Sequence, residues 1–370
     1  MPGRIIPFPW RERRLSPEQG WAMAERVLTI PISERAEKPT GFCLEDSELL
    51  LSVCEVLRSR LETSPANVLE EADFFYRFLD KPKRKVGMFD EREYYLGELA
   101  LIAGTACRLL FHRDEARRWF DRAEPNFSLA ANGLAHIARL AYQRLALAME
   151  ERHLEDVLER APLWIETFES MGLVEDALKC RFLEGAALRE MGDVAGAIRV
   201  FADICRRAEE QRDVRLTAEA SNNLAQFYRV LGNLDEAMVY ARKALPLLKQ
   251  LDNRVGLVKL RWGVGSILRE QGKPGEAVTA YREALEEARA VGMRGDVAAL
   301  HLVLADVMLD AGQDRQAEWE VRAALPIIDE EQMVPEGFAA LSLLRNALRY
   351  QQVDRQALRE LHGYFGDSKA

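Results

Sequence analysis

The sequence contains no CxxC pair, and its five cysteines, Cys43, Cys54, Cys107, Cys180 and Cys205, are an odd number. A disulfide framework or a structural zinc site is therefore not expected. The cysteines fall mostly among apolar helix positions, which implies reduced core thiols in a cytoplasmic protein. No uninterrupted apolar run approaches the roughly 20 residues that a membrane span needs. The opening stretch MPGRIIPFPWRERR has arginines but no apolar core and no small-residue cleavage site, so no secretory signal is expected. HExxH, GxSxG and an EF-hand loop are all missing, and the five histidines share no ligand spacing. The stretch WGVGSILREQGKPGEA fails as a phosphate loop, because Pro274 follows Lys273 where Ser or Thr is required. A net charge of −9 argues against a general nucleic-acid binder. No enzyme, cofactor or metal is expected.

What the chain does have is a repeat. Gly192, Gly232, Gly272 and Gly312 are spaced by forty residues. Five positions after each comes an alanine, Ala197, Ala237, Ala277 and Ala317. Eight further on stand Cys205, Leu245, Leu285 and Leu325. The register extends back through Val157 and Ala116 and forward to Ala357. A period of this length implies a stacked solenoid. On either side of each Gly, apolar residues recur at spacings of three and four, as in Ala220, Leu224, Phe227, Tyr228 and Leu231. Each unit is thus two antiparallel helices joined at a turn, where Gly can take positive φ. Neither helix buries its apolar stripe alone, so neighbouring units must supply the missing surface.

Upstream, LSPEQGWAMAERVL reads as a helix with Ser16 as N-cap, Pro17 first and Gln19 completing a capping box. A second helix is expected over 44–61 and a third over 65–79, capped by Ser64 and packed on the first repeat through Leu50, Val53, Phe74 and Phe75. The expected organisation is a tail over 1–15, mobile or docked, and an N-terminal helical region over 16–80. A linker follows over 81–89, then about six repeat units and a capping helix over 90–362, and a tail over 363–370. Pro246 and Pro326 lie inside second helices and predict a kink or an early end there.

Gly185 and Gly265 stand seven positions before a turn Gly, with Ala225 and Ala305 at the matching sites. Together with Tyr228, the turn Gly, the following Ala and the pair Ala244–Leu245, they resemble the tetratricopeptide (TPR) pattern, in a forty-residue form similar to kinesin light chains and to peptide-regulated bacterial regulators. The resemblance spans 90–362 and is strongest over 178–330. It implies an all-α fold, a right-handed superhelical solenoid of helix pairs, with a concave groove lined by the first helix of each pair. The positions it places in that groove include Lys179, Phe182 and Arg189, then Asn222, Gln226 and Arg229, then Lys259, Trp262 and Arg269, with Asn223 beside them as a backbone holder.

Arg189, Arg229 and Arg269 recur on the period and predict a row of positive charge suited to an acidic segment. The helix dipole favours arginine in a last turn without any ligand, and Phe182 and Trp262 can equally pack on a neighbouring unit. The expected function is a TPR adaptor, scaffold or regulator that binds a protein or peptide partner, an acidic one if the arginine row is open. The alternative is a peptide sensor whose N-terminal helices act on a response regulator or transcription factor. A transcription regulator that binds DNA through residues 1–80 is a third possibility. However, no helix-turn-helix signature supports it, and the helix at 65–79 is too acidic to face phosphates.

Overall fold

The computed structural model describes residues 16–35, 46–81, 91–130, 133–333 and 340. The expected tails, most of the linker, Cys43, Ala357 and the capping helix lie outside the described residues. Among the described residues there are α-helices and no strand, in two compact units, Met1–Met191 and Gly192–Ala370.

The first unit holds α1 (Pro17–Leu28), α2 (Ile32–Arg35), α3 (Ser47–Ser59), α4 (Pro65–Leu79), α5 (Arg92–Leu109), α6 (Arg113–Leu129), α7 (Gly133–Glu150), α8 (Leu154–Ser170) and α9 (Val174–Glu190). The second holds α10 (Val194–Glu210), α11 (Val214–Val230), α12 (Leu234–Gln250), α13 (Arg254–Glu270), α14 (Pro274–Ala290), α15 (Arg294–Asp310) and α16 (Asp314–Glu330). Ser16 and Gln19 form the reciprocal capping box at α1. Asp46 caps α3 by accepting from the backbone N–H groups of Glu48 and Leu49. Ser64, expected to cap α4, makes no side-chain cap bond, since its backbone has left the extended cap conformation (φ −150°, ψ 60°). Leu50, Val53 and Phe75 are fully buried and Phe74 partly so, within one core that α1, α3 and α4 share with α5–α7.

From α8 on, every helix has 17 residues and is followed by a three-residue turn. A residue with positive φ recurs at 152, 172, 192, 212, 232, 252, 272, 292, 312 and 332, every 20 residues. The turn closes the helix in the same way each time. Gly232 N–H donates to Arg229 O, and Asn233 N–H reaches back to Tyr228 O, both at 2.9 Å. Both halves of the forty-residue period are therefore the same helix-plus-turn module. The alternate turns are less regular in the sequence, because Arg212, Asp252 and Gln332 take the glycine conformation there while Gly172 and Gly292 keep the glycine.

Small and large residues pair across each helix pair. A Cβ on Gly104 would stand 2.5 Å from the Phe120 ring, and one on Gly265 would stand 2.6 Å from the Tyr281 ring. The aromatic lies sixteen positions after the Gly in both cases. Where the small residue is Ala225 or Ala305, the position sixteen on is Ala241 or Val321. At Gly104 and Gly265 the missing Cβ is what admits the ring from the second helix of the pair.

α12 and α16 run through Pro246 and Pro326 for a further turn, so no early end occurs at either site. α6 and α8 likewise continue past Pro125 and Pro162. All four prolines are exposed. An exposed position suits a proline inside a helix, because water can replace the lost N–H at the carbonyl one turn back.

Candidate binding face

The first helices of the pairs in the second unit, α11, α13 and α15, bring together Asn222, Asn223, Gln226 and Arg229 with Lys259, Trp262 and Arg269. These side chains differ sharply in how free they are. Asn223 Nδ2 donates to Glu219 O at 2.9 Å and is folded back on its own helix. The Gln226 amide lies on the α13 backbone, its Nε2 1.9 Å from where a Cβ of Gly263 would stand, so Gln226 is a packing residue. Trp262 is partly buried against the core around Val258, Leu268 and Leu300. Asn222 Oδ1 is buried and accepts no hydrogen bond. Lys259 is exposed and has no ion pair. Beneath Asn222, burial raises the Glu219 carboxyl above the usual carboxylate range, with Arg215 opposing and Asp213 assisting.

The arginines are balanced rather than open. Arg229 Nη1 meets Glu270 at 2.6 Å. Arg269 Nη1 meets Asp306 at 2.7 Å, and its Nη2 meets Asp310 at 2.5 Å. In the first unit Arg108 pairs with Glu150 in the same manner, between α5 and α7. Glu150 follows Arg108 by 42 residues, and Glu270 and Asp310 follow Arg229 and Arg269 by 41, so each is a rung between consecutive first helices. Glu270 neutralises Arg229 of the preceding pair and not its sequence neighbour Arg269. The row of uncompensated positive charge that the sequence implies is absent at Arg229 and Arg269.

In α9, Lys179 is held by Glu175 at 3.0 Å and by Asp176 at 3.3 Å. Burial disfavours its ammonium, but the two carboxylates outweigh this and raise its pKa. Phe182 is partly buried. Arg189 is exposed and contacts Glu190, which also accepts from Arg152 at 3.2 Å, so one carboxylate serves two guanidinium groups. The residue 41 positions after Arg189 is Val230, so the sequence supplies no acid for a rung.

Three buried polar groupings lie away from this face. Glu98 is fully buried in α5 and accepts from Arg58 and, at 2.9 Å, from Arg139, with His136 Nδ1 at 3.2 Å. Burial pushes its carboxyl up, but Arg139, Arg58 and His136 together hold it well below the usual carboxylate range. His301 Nδ1 lies 2.5 Å from Glu320, and its Nε2 accepts from Arg289 at 2.8 Å. Cys205 in α10 lies beside Ser221 and Lys243. Only the helix-face position of Glu98 in an otherwise apolar run, YYLGELALIAG, marks any of these in the sequence. Among the described residues, no group of three or more His, Cys, Asp or Glu side chains could hold a metal ion, and no helix is long and apolar enough to cross a membrane.

Two tetratricopeptide repeat family models match residues 217–251 and 258–290, so the chain carries tetratricopeptide repeats over α11–α14. No curated protein matches the sequence. Solved structures match the fold over nearly their whole length. A Rap protein complexed with competence and sporulation factor is 13% identical, with a TM-score of 0.55, covering 93% of this chain and 98% of that one. The Rap conjugation gene regulator of plasmid pLS20, in complex with a Phr peptide, is 15% identical at a TM-score of 0.54, covering 96% and 99%. Aspartyl phosphate phosphatase F from Bacillus subtilis is 11% identical at a TM-score of 0.54, covering 93% and 97%. At these identities the likeness is one of fold.

Proposed function

We propose that this chain is a non-enzymatic TPR regulator or adaptor that binds a peptide or protein segment along its first-helix face. The observation that carries this is Asn222 Oδ1, a buried acceptor with no donor at a position the repeat pattern assigns to the ligand. A buried unsatisfied acceptor costs about 1–3 kcal/mol, which a backbone N–H of an extended ligand would relieve. Trp262 beside it in register offers apolar contact, and Lys259 an unpaired cation. Phe182 and Lys179 hold the same register positions in α9. Two of the fold relatives are named as complexes with a peptide or factor, which supports the same reading. One fold relative is named a phosphatase. Here the two buried carboxylate–histidine pairs are closed in by arginines and leave no open acid–base pair.

Within the first unit, Arg189, whose partner Glu190 is shared by two cations, offers a separate contact for an acidic group. Arg229 and Arg269 serve as rungs. The alternative, in which ligand occupancy alters the action of α1–α4 on a second protein, draws support from the one core joining α1, α3 and α4 to α5–α7. The test is capture from source lysate with wild type, Asn222→Leu, Arg189→Ala and the double variant Arg229→Ala/Arg269→Ala. Loss of one partner with Asn222→Leu, and salt-sensitive loss with Arg189→Ala, is the expected result. Equal recovery by all four chains, with helicity intact, sinks the binding-face assignment. Loss only in the rung variant returns the acidic contact to the arginine row.

A further inference from the structure

We propose that Cys205 and Lys243 form a peroxide-responsive covalent cross-link between α10 and α12. The four described cysteines are all buried, but their surroundings separate them. Burial is the main influence on Cys54, Cys107 and Cys180, and pushes these thiols up to about 12, 11 and 12. Such thiols are poor nucleophiles. Cys205 is different in kind, because two polar groups converge on its sulfur. Lys243 Nζ lies 3.4 Å from Sγ, and Ser221 Oγ lies 3.4 Å from it. The site is this pair: an amine and a thiol from two consecutive second helices, already at van der Waals contact. Lys243 is itself about one-third exposed, at 32%, so a molecule the size of hydrogen peroxide meets the pair from the lysine side. Glu209 stands 2.6 Å from Nζ and positions it, and the Tyr240 ring, 5.9 Å from Nζ, flanks the lysine.

The chemistry closes in two steps. The Cys205 thiol gives up its proton to water as its sulfur attacks one peroxide oxygen. The O–O bond breaks, an S–O bond forms, sulfur is oxidised to the sulfenic acid, and the peroxide is reduced to water. Lys243 then reacts from its neutral amine form, its proton passing to water. A second peroxide oxidises the amine and sulfenic acid together: an N–O bond forms, two waters leave, and the product is an N–O–S bridge. Net, the pair gains one oxygen and loses two hydrogens. The Ser221 hydroxyl is placed to hold the sulfenic oxygen toward Lys243. A thiol reductant cleaves the bridge and restores both side chains. Closing it would fix two helices that are otherwise held at this point only by packing and one ammonium.

The test uses the full chain with Cys43→Ser, so that every remaining cysteine is a described one. The protein is titrated with hydrogen peroxide, denatured, digested and mapped by mass spectrometry, with and without dithiothreitol. The expected product is the Cys205 peptide joined to the Lys243 peptide, with one oxygen gained and two hydrogens lost, reverting on reduction. The joined peptide should vanish in Cys205→Ser and in Lys243→Arg, the second of which keeps the charge and accumulates uncoupled sulfenic acid at Cys205. Oxidation of Cys205 with Lys243 unmodified in the wild type overturns the proposal. So does oxidation of Cys54, Cys107 or Cys180 at the same peroxide dose as Cys205. A helical circular dichroism spectrum for each variant ensures that these outcomes report the site.

Discussion

Glu98 is the point at which a single atom exchange should do the most damage. It is fully buried and compensated by two guanidinium groups and an imidazole contributed by α3 and α7, so it ties the N-terminal helices to the first repeat. Glu98→Gln keeps the volume and removes the charge. Arg58, whose Nη2 already lacks a partner, and Arg139 are then left as like charges around a neutral amide. Breaking a buried ion pair from one side costs about 3–5 kcal/mol, against a total stability of about 5–15 kcal/mol for a domain. The cost here should fall near the lower bound, because both arginines reach partly into solvent. A loss of about 3 kcal/mol raises the opening equilibrium roughly 150-fold. Hydrogen exchange by mass spectrometry localises it: protection should fall by that factor in α3, α5 and α7 and stay unchanged in α13 and α15. The pH dependence carries its own sign. The folded-state pKa of Glu98 lies below its unfolded value of about 4.3, so its contribution is fully present above that value and is lost as pH falls through the folded pKa. Wild type and Glu98→Gln should therefore converge on acidification below about pH 4. A loss under ~1 kcal/mol at neutral pH, or a uniform loss across both units, would refute the argument that this cluster is a local tie.

Two further perturbations test the packing and turn rules. Gly265→Ala should destabilise the second unit by about 1–3 kcal/mol, since the new methyl meets the Tyr281 ring. Combining it with Tyr281→Ala, which imitates the Ala225 and Ala241 pair, should cost less than the sum of the two single changes, measured as non-additivity in urea unfolding. Phe111 holds φ 61° with its ring 76% exposed. Phe111→Gly should raise stability by about 0.5–1 kcal/mol in thermal unfolding, because relief of the left-handed strain exceeds the added backbone entropy.

The helix pairs are legible in the sequence because two demands of the chain are strict: positive φ at the turn, and a small residue where helix axes meet. Glycine and alanine satisfy both, and they recur. The same demand is met by Arg152, Arg212 and Asp252 at a cost in strain, and there the sequence is silent. The twenty-residue module therefore shows only as its forty-residue double. Ser64 illustrates a different limit. A cap depends on one backbone torsion, and the residue type alone does not set it. Pro246 and Pro326 are exposed, and exposure is a property of the assembled pair rather than of the local sequence.

The arginine series shows where position stops being informative. Its periodicity is real, but a period locates a residue and does not say what stands opposite. The residue opposite Arg229 is one pair further on, 41 positions along the chain: Glu270 for Arg229 and Asp310 for Arg269. The rungs are partly exposed and each is worth about 0.2–1 kcal/mol, too little to hold the array together. Their larger effect is electrostatic. On a chain with net charge −9, balanced rungs remove the attraction that an open row of arginines would exert on any anion. Selection on this face then falls to shape and to the unmet hydrogen bond at Asn222. Charge remains available at Lys259, which has no ion pair among the described residues, and at Arg189, where one carboxylate is divided between two guanidinium groups. On the reading proposed above, a ligand that places an extended backbone at Asn222 and an anion at the exposed Lys259 is recognised twice within the second unit, by two different forces, and salt should weaken only the second.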